Sequence, residues 1–160
     1  EQADMTAICK ELAQAGHSVR VVSPKKQAAR SWDNTRWNGD MPVDVAAVEA
    51  EARDFDALVL PGGLLSADTL RSDDFIIRLA RDAAAQGKPV AALGHAPWVL
   101  VEAGLVKGRA VTSHPAIRTD LANAGGQWRD EAFVADDGVI TGRHSHDAVA
   151  FVSGLLQALR

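Results

Sequence analysis

Hydrophobic residues recur along this chain in two rhythms, one helical and one extended. From Asp4 to Ala15, Met5, Ile8, Cys9 and Leu12 fall on one face at helical spacing and Gly16 follows as a stop, which predicts a helix. Val19-Arg20-Val21-Val22-Ser23 is a β-branched run ended by Pro24, the pattern of a strand. A polar excursion carrying Trp32 and Trp37 predicts a hairpin or loop, and Val45 to Ala52 predicts a short helix. Asp56-Ala57-Leu58-Val59-Leu60 reads as a buried strand that stops at Pro61-Gly62-Gly63, and Ser66 to Leu70 as a helical turn. Asp73 to Gln86 places Phe75, Ile76, Leu79 and Ala83 on one face, with Gly87 as its stop and Pro89 opening a strand from Val90 to Leu93.

A second strand and helix unit follows: a helix from Pro97 to Ala103, a strand around Ala110 to Thr112, and a helix from Arg118 to Ala124 ended by Gly125-Gly126. Phe133 to Ala135 and Val139 to Thr141 flank Asp136-Asp137-Gly138, where Asp-Gly supplies the positive φ of a tight hairpin turn. Asp147 to Leu159 closes the chain as a helix. Helices alternating with short buried strands argue a flavodoxin-like α/β sandwich with a mainly parallel sheet. Val19 to Ser23, Asp56 to Leu60 and Val90 to Leu93 are expected side by side in it. The pattern starts on a helix, so the first strand of such a sheet is expected to be missing from the N-terminus.

Composition narrows the classes. The 160 residues fit one domain, and 47% hydrophobic with 24% charged residues is ordinary for a globular protein. A net charge of −4, with Lys25, Lys26 and Arg30 as the densest positive cluster, gives no track for nucleic acid. No apolar run reaches the roughly 18 residues of a membrane span. The start, Glu1-Gln2-Ala3-Asp4, lacks the features of a signal peptide. A single cysteine, Cys9, excludes an internal disulfide and fits a reducing cytoplasm. Its place on the apolar stripe reads as an inert core thiol.

Ligands in open α/β sheets collect at the carboxyl ends of strands. After Leu60 come Gly62 and Gly63, either a plain turn or a cradle of backbone N–H groups for an oxyanion. After Leu93 the strand turns sharply into a helix through Gly94-His95-Ala96-Pro97, the arrangement of a nucleophile elbow with glycine at the turn. Gly94 is therefore expected in a backbone conformation disfavoured for other residues, in contact with the Gly62-Gly63 turn. His17, His144 and His146 lie in turns, and no pair has the i, i+4 spacing of a helical metal site.

Nearly the whole chain resembles the ThiJ/PfpI superfamily, closest to its PfpI branch of intracellular proteases and general stress proteins. The resemblance is carried by Asp54-Phe55-Asp56-Ala57-Leu58-Val59-Leu60-Pro61-Gly62-Gly63, Asp68-Thr69-Leu70-Arg71, Gly87-Lys88-Pro89-Val90-Ala91-Ala92, Ala103 to Arg109, Trp128 and Arg143 with Asp147. The family motif Ala-Ile-Cys-His-Gly-Pro-Trp stands here as Ala92-Leu93-Gly94-His95-Ala96-Pro97-Trp98. The resemblance implies that Gly94 occupies the nucleophile position, and glycine's side chain, a hydrogen atom, cannot attack a carbonyl. It implies that His95 is the imidazole paired with the family's thiolate and that Asp4 stands at the family's glutamate, one methylene shorter. Asp68 would reach the histidine of a neighbouring subunit, and Gly62, Gly63, Ala96 and His114 would line the substrate and oxyanion site.

The resemblance further implies hydrolase activity of the peptidase, deglycase or glyoxalase-like kind, related to class I glutamine amidotransferases, on a small carbonyl or peptide-like ligand. It implies a role in stress survival, a homo-oligomer (dimer or hexamer), and neither cofactor nor metal. Without a thiol at position 94, two rivals stand beside that reading. One is a non-catalytic module that binds a small metabolite or serves assembly. The other is a hydrolase whose water is activated by His95 with Asp4, Asp68 or a metal including His114.

Overall fold

The computed structural model describes residues 1–33 and 35–160. The amphipathic first segment forms α1 (Gln2–Gln14), burying Ile8 and Leu12. Short strands follow: β1 (Val22–Ser23), the hairpin β2 (Ala28–Trp32) and β3 (Trp37–Pro42), and β4 (Val45–Ala46). Next come β5 (Leu58–Leu60), α2 (Leu64–Leu70) and α3 (Asp74–Ala85). Asp73 caps α3, its carboxylate accepting from the N–H groups of Phe75 and Ile76. Then run β6 (Val90–Leu93), α4 (Pro97–Glu102), β7 (Ala110–Val111), α5 (Arg118–Asn123) and β8 (Gln127–Trp128). The chain ends with β9 (Phe133–Asp136), β10 (Val139–Gly142) and α6 (Ala148–Ala158).

The main sheet has the order β5-β6-β10-β9, with β6 parallel to both β5 and β10, and β9 antiparallel at the edge. Its β9–β10 turn places Asp137 at φ 46° and Gly138 at φ 77°, as Asp-Gly predicts. Strand β6 is wholly buried and shows why the sheet is a central layer: Val90 and Ala92 pack with Ile76, Leu79, Val99 and Leu100 on one face. Ala91 and Leu93 pack with Ile8, Leu12, Phe151 and Leu155 on the other. Successive side chains point to opposite faces, and each face is covered by helices, so the flavodoxin-like three-layer sandwich is the observed fold.

Two expectations are corrected. Val45 to Ala52 is not a helix: it begins as β4 and continues as a single 3-10 turn at Ala47–Glu49, after which Ala50 returns to extended φ and ψ. So short a segment does not repay helix nucleation, whereas Val45 and Ala46 find a strand partner. That partner is β1, and here lies the second correction. Only Val22–Ser23 of the expected strand is regular, and it pairs with β4, not with β5 and β6. The Asp44 carboxylate fixes the pairing by accepting the Val21 N–H at 2.7 Å. Among the described residues no helix is long and apolar enough to cross a membrane.

Candidate active site

The carboxyl ends of β5, β6 and β10 meet at one point, and the glycines there let backbones approach. Gly94 follows β6 with φ +64°, a left-handed conformation that costs a residue with a Cβ roughly 1–2 kcal/mol. Its N–H donates to the Gly142 carbonyl at 2.9 Å, and its carbonyl accepts from the His114 N–H at 2.8 Å. The elbow is thus pinned between β10 and the loop after β7. A Cβ built on Gly94 would meet only the Gly62 Cα, at 3.7 Å, so the elbow does touch the Gly62-Gly63 turn.

Behind that contact stands Asp4. Its side chain is 2% exposed, it packs directly on Gly62, and its Oδ1 has no hydrogen-bond partner among the described residues. A Cβ at Gly62 would collide with the Asp4 carboxylate and lie 3.3 Å from the Leu93 carbonyl, so this position requires glycine for close approach. Gly63, at φ +105°, carries Glu1 packed against its Cα. Ala96 turns inward: its side chain is fully buried and its N–H donates to the Leu93 carbonyl at 3.0 Å, a bond that an incoming oxyanion would have to displace.

His95 and His114 come together from separate loops and stack, with ring centroids 4.3 Å apart and an interplanar angle of 20°. His144, two residues beyond β10, meets His114 edge-on at 5.3 Å. His114 Nδ1 accepts the Ala116 N–H at 3.2 Å, which leaves the neutral ring's proton on Nε2. Burial pushes the His95 imidazole below its ordinary range, and the positive charge His114 carries when protonated adds to this. Burial lowers His114 too, with His144 as the second cause. Among the described residues no group of three or more His, Cys, Asp or Glu is arranged to hold a metal ion.

These shifts have a measurable consequence. A histidine whose folded pKa is depressed favours the folded state above its unfolded value, near 6.5, and that contribution is lost as pH falls through the folded value. Thermal stability is therefore expected to decline as pH drops from about 6.5 toward 5, and His114→Gln is expected to flatten the decline. Histidine Cε1 proton titrations are expected to place His95 and His114 below 6.5, and midpoints at or above that value would contradict the stacked arrangement.

Asp68 sits on α2 with its side chain exposed and accepts from Arg71 Nε at 3.0 Å. Arg71 lies over the Trp98 ring at 4.7 Å, and Trp98 meets His95 edge-on at 5.9 Å. Within one chain, Asp68 thus reaches the histidine cluster only through this relay. Cys9 lies mid-helix on α1, and burial pushes its thiol up, the opposite of activation. The sequence reading missed His144, although its place just past a strand end was the available signal. What it lacked was the strand order that sets β10 beside β6. Arg143, next to His144, is held by Asp130 at 2.7 Å and Asp147 at 3.1 Å, both of which raise its pKa.

A three-layer sandwich with a left-handed strand-to-helix elbow at its carboxyl edge, a buried acid behind it and a histidine after it defines an α/β protein of the elbow type. The DJ-1/PfpI family pattern matches residues 1–158, and the chain belongs to that family. It is 34% identical over 149 residues to Deglycase PfpI of Pyrococcus furiosus, covering 93% of this chain and 87% of that one. It is 33% identical over 152 residues to General stress protein 18 of Bacillus subtilis, covering 94% and 87%. A crystal structure of a two-domain protein from Anabaena variabilis, with DJ-1/ThiJ/PfpI-like and ferritin-like domains, superposes with a TM-score of 0.90 at 35% identity. The match takes in 99% of this chain and 45% of that longer one.

Proposed function

We propose that this protein is a stress-response member of the DJ-1/PfpI family that keeps the pocket for a small carbonyl or peptide-like ligand but not thiol catalysis. One observation carries the reading. The elbow is intact in backbone geometry, with Gly94 at φ +64° against Gly62 and Asp4 behind, yet its residue offers no nucleophile. The names of its relatives, a deglycase and a general stress protein, support the substrate class and setting. The single cysteine supports a cytoplasmic location. On this reading a methylglyoxal adduct of cysteine or arginine binds, as read by protection of the His95 resonance, without turnover. Turnover abolished by iodoacetamide would overturn it.

A second reading is favoured by one feature, the lowered His95, which is a neutral base at pH 7. In it, His95 takes a proton from water as that water attacks the carbonyl. Turnover that survives iodoacetamide and disappears in His95→Gln would select it.

We further propose a homo-oligomer, dimer or hexamer, in which Asp68 approaches His95 of a neighbour. Supporting this, Leu64 and Leu65, on the same short helix as Asp68, are each 52% exposed and form an apolar patch. Light scattering at micromolar concentration is expected to give at least twice the chain mass. A strict monomer removes Asp68 from the site.

A further inference from the structure

Three imidazoles share the crevice with no counter-charge among them. His95 stacks on His114 with centroids 4.3 Å apart, and His144 closes on His114 edge-on at 5.3 Å. They arrive from three loops, each just past the carboxyl end of a strand, and all three are half-buried. Nδ1 of His114 accepts the Ala116 N–H. Among the described residues no hydrogen bond reaches the other ring nitrogens, so they are free to meet a ligand.

The acids around the crevice are engaged elsewhere. Asp68 of α2 is held by Arg71, which also pairs with Glu102 of α4. Asp120 of α5 accepts from the Trp98 indole at 2.7 Å, and Asp130 and Asp147 both sit on Arg143. Asp4 of α1 is buried behind Gly62. Among the described residues no carboxylate pairs with any of the three imidazoles. Rings this close resist charging, because one imidazolium repels the next. Burial first and this repulsion second lower His95 and His114.

An arriving anion reverses that balance: it accepts from the ring N–H groups and draws a proton onto the cluster. The ligand that carries it is short, because the His114 N–H donates to the Gly94 carbonyl at 2.8 Å and so holds the imidazoles beside the elbow. Arg71 and Arg143 are both committed to carboxylates, so a doubly charged phosphate lacks partners here, whereas one carboxylate needs a single proton. We propose that His95, His114 and His144 form a carboxylate subsite, and that the ligand of this crevice is a small carbonyl compound with a carboxylate adjoining the carbonyl, of the 2-oxo acid class. The proposal rests on the reading of the crevice as a small-carbonyl pocket and names the group that is recognised there. Binding takes up a proton, so affinity rises as pH falls.

The probes are pyruvate and its uncharged isostere pyruvamide, added to the 160-residue protein in a cationic buffer at constant ionic strength. Histidine Cε1 proton resonances give the readout. Pyruvate is expected to raise the pKa of His95 or His114 by about one unit, and its affinity to strengthen about tenfold for each pH unit between the free and bound values. Pyruvamide is expected to shift neither ring. His144→Gln is expected to weaken pyruvate about threefold to tenfold at unchanged Tm, with His114→Gln as the second variant and His17→Gln without effect. No shift with pyruvate at tens of millimolar overturns the proposal. So do equal effects of pyruvate and pyruvamide, because charge is then not recognised, and an equal shift with sodium chloride, which would be screening alone. Pyruvate that binds only after Asp68→Asn would make a neighbour's carboxylate the counter-ion and would overturn it as well. A methylglyoxal adduct that protects His95 while pyruvate shifts nothing overturns this proposal and spares the reading above, which iodoacetamide-sensitive turnover decides.

Discussion

Gly94→Cys is expected to place a reactive thiol in the crevice. A Cβ at this position meets only the Gly62 Cα at 3.7 Å, so the side chain enters without displacing its neighbours. The cost is backbone strain at φ +64°, roughly 1–2 kcal/mol, read as a Tm lower by about 2–8 °C. The new thiolate is stabilised by the His95 imidazole taking up its proton, which lowers the thiol below its free value of about 8.5. Cys9 supplies the internal contrast, because burial raises its pKa. Iodoacetamide labelling at pH 7 is expected to run at least about tenfold faster in Gly94→Cys than in wild type, and to fall away at lower pH than for a free cysteine. Turnover of a methylglyoxal adduct is expected to appear with it. Asp4→Glu in that background extends the buried acid behind the elbow by one methylene toward the sulfur and is expected to raise turnover further. A thiol that labels no faster than free cysteine, with no turnover in the double variant, would mean that the crevice lacks more than a nucleophile.

Phe151→Ala is expected to cause a large loss of stability. Phe151 is fully buried in the cluster that binds α6 to the sheet, with Leu93 and Ile140 beneath it. Its ring lies so close over β10 that a Cβ at Gly142 would stand 2.9 Å from Phe151 Cδ2. Truncation leaves a cavity walled by rigid strands, where cost rises with the volume that fails to collapse, so a loss of about 3–5 kcal/mol is expected. For a chain of this size that is a Tm lower by about 6–20 °C in a calorimetric scan. The damage reaches the site, because Gly142 holds the Gly94 N–H. A variant within 1 °C of wild type would show that α6 does not anchor the sheet.

Much of this molecule is written in local pattern. The amphipathic faces of α1 and α3, the continuous apolar runs of β5 and β6, and the Asp-Gly turn between β9 and β10 each rest on interactions within a few residues. Periodicity records such interactions directly. The elbow was legible for the same reason, since a strand that turns into a helix across Gly94-His95-Ala96-Pro97 is a local event, and its positive φ followed from the glycine. Tertiary structure decided what depends on strand order. Sequence spacing placed His95, His114 and His144 in three unrelated loops, and only the pairing of β10 with β6 brings their rings together. It likewise could not show that β1 turns to β4 and not to β5, because an apolar strand carries the same residues whichever neighbour it bonds. Backbone hydrogen bonds, which carry no side-chain signature, make that choice.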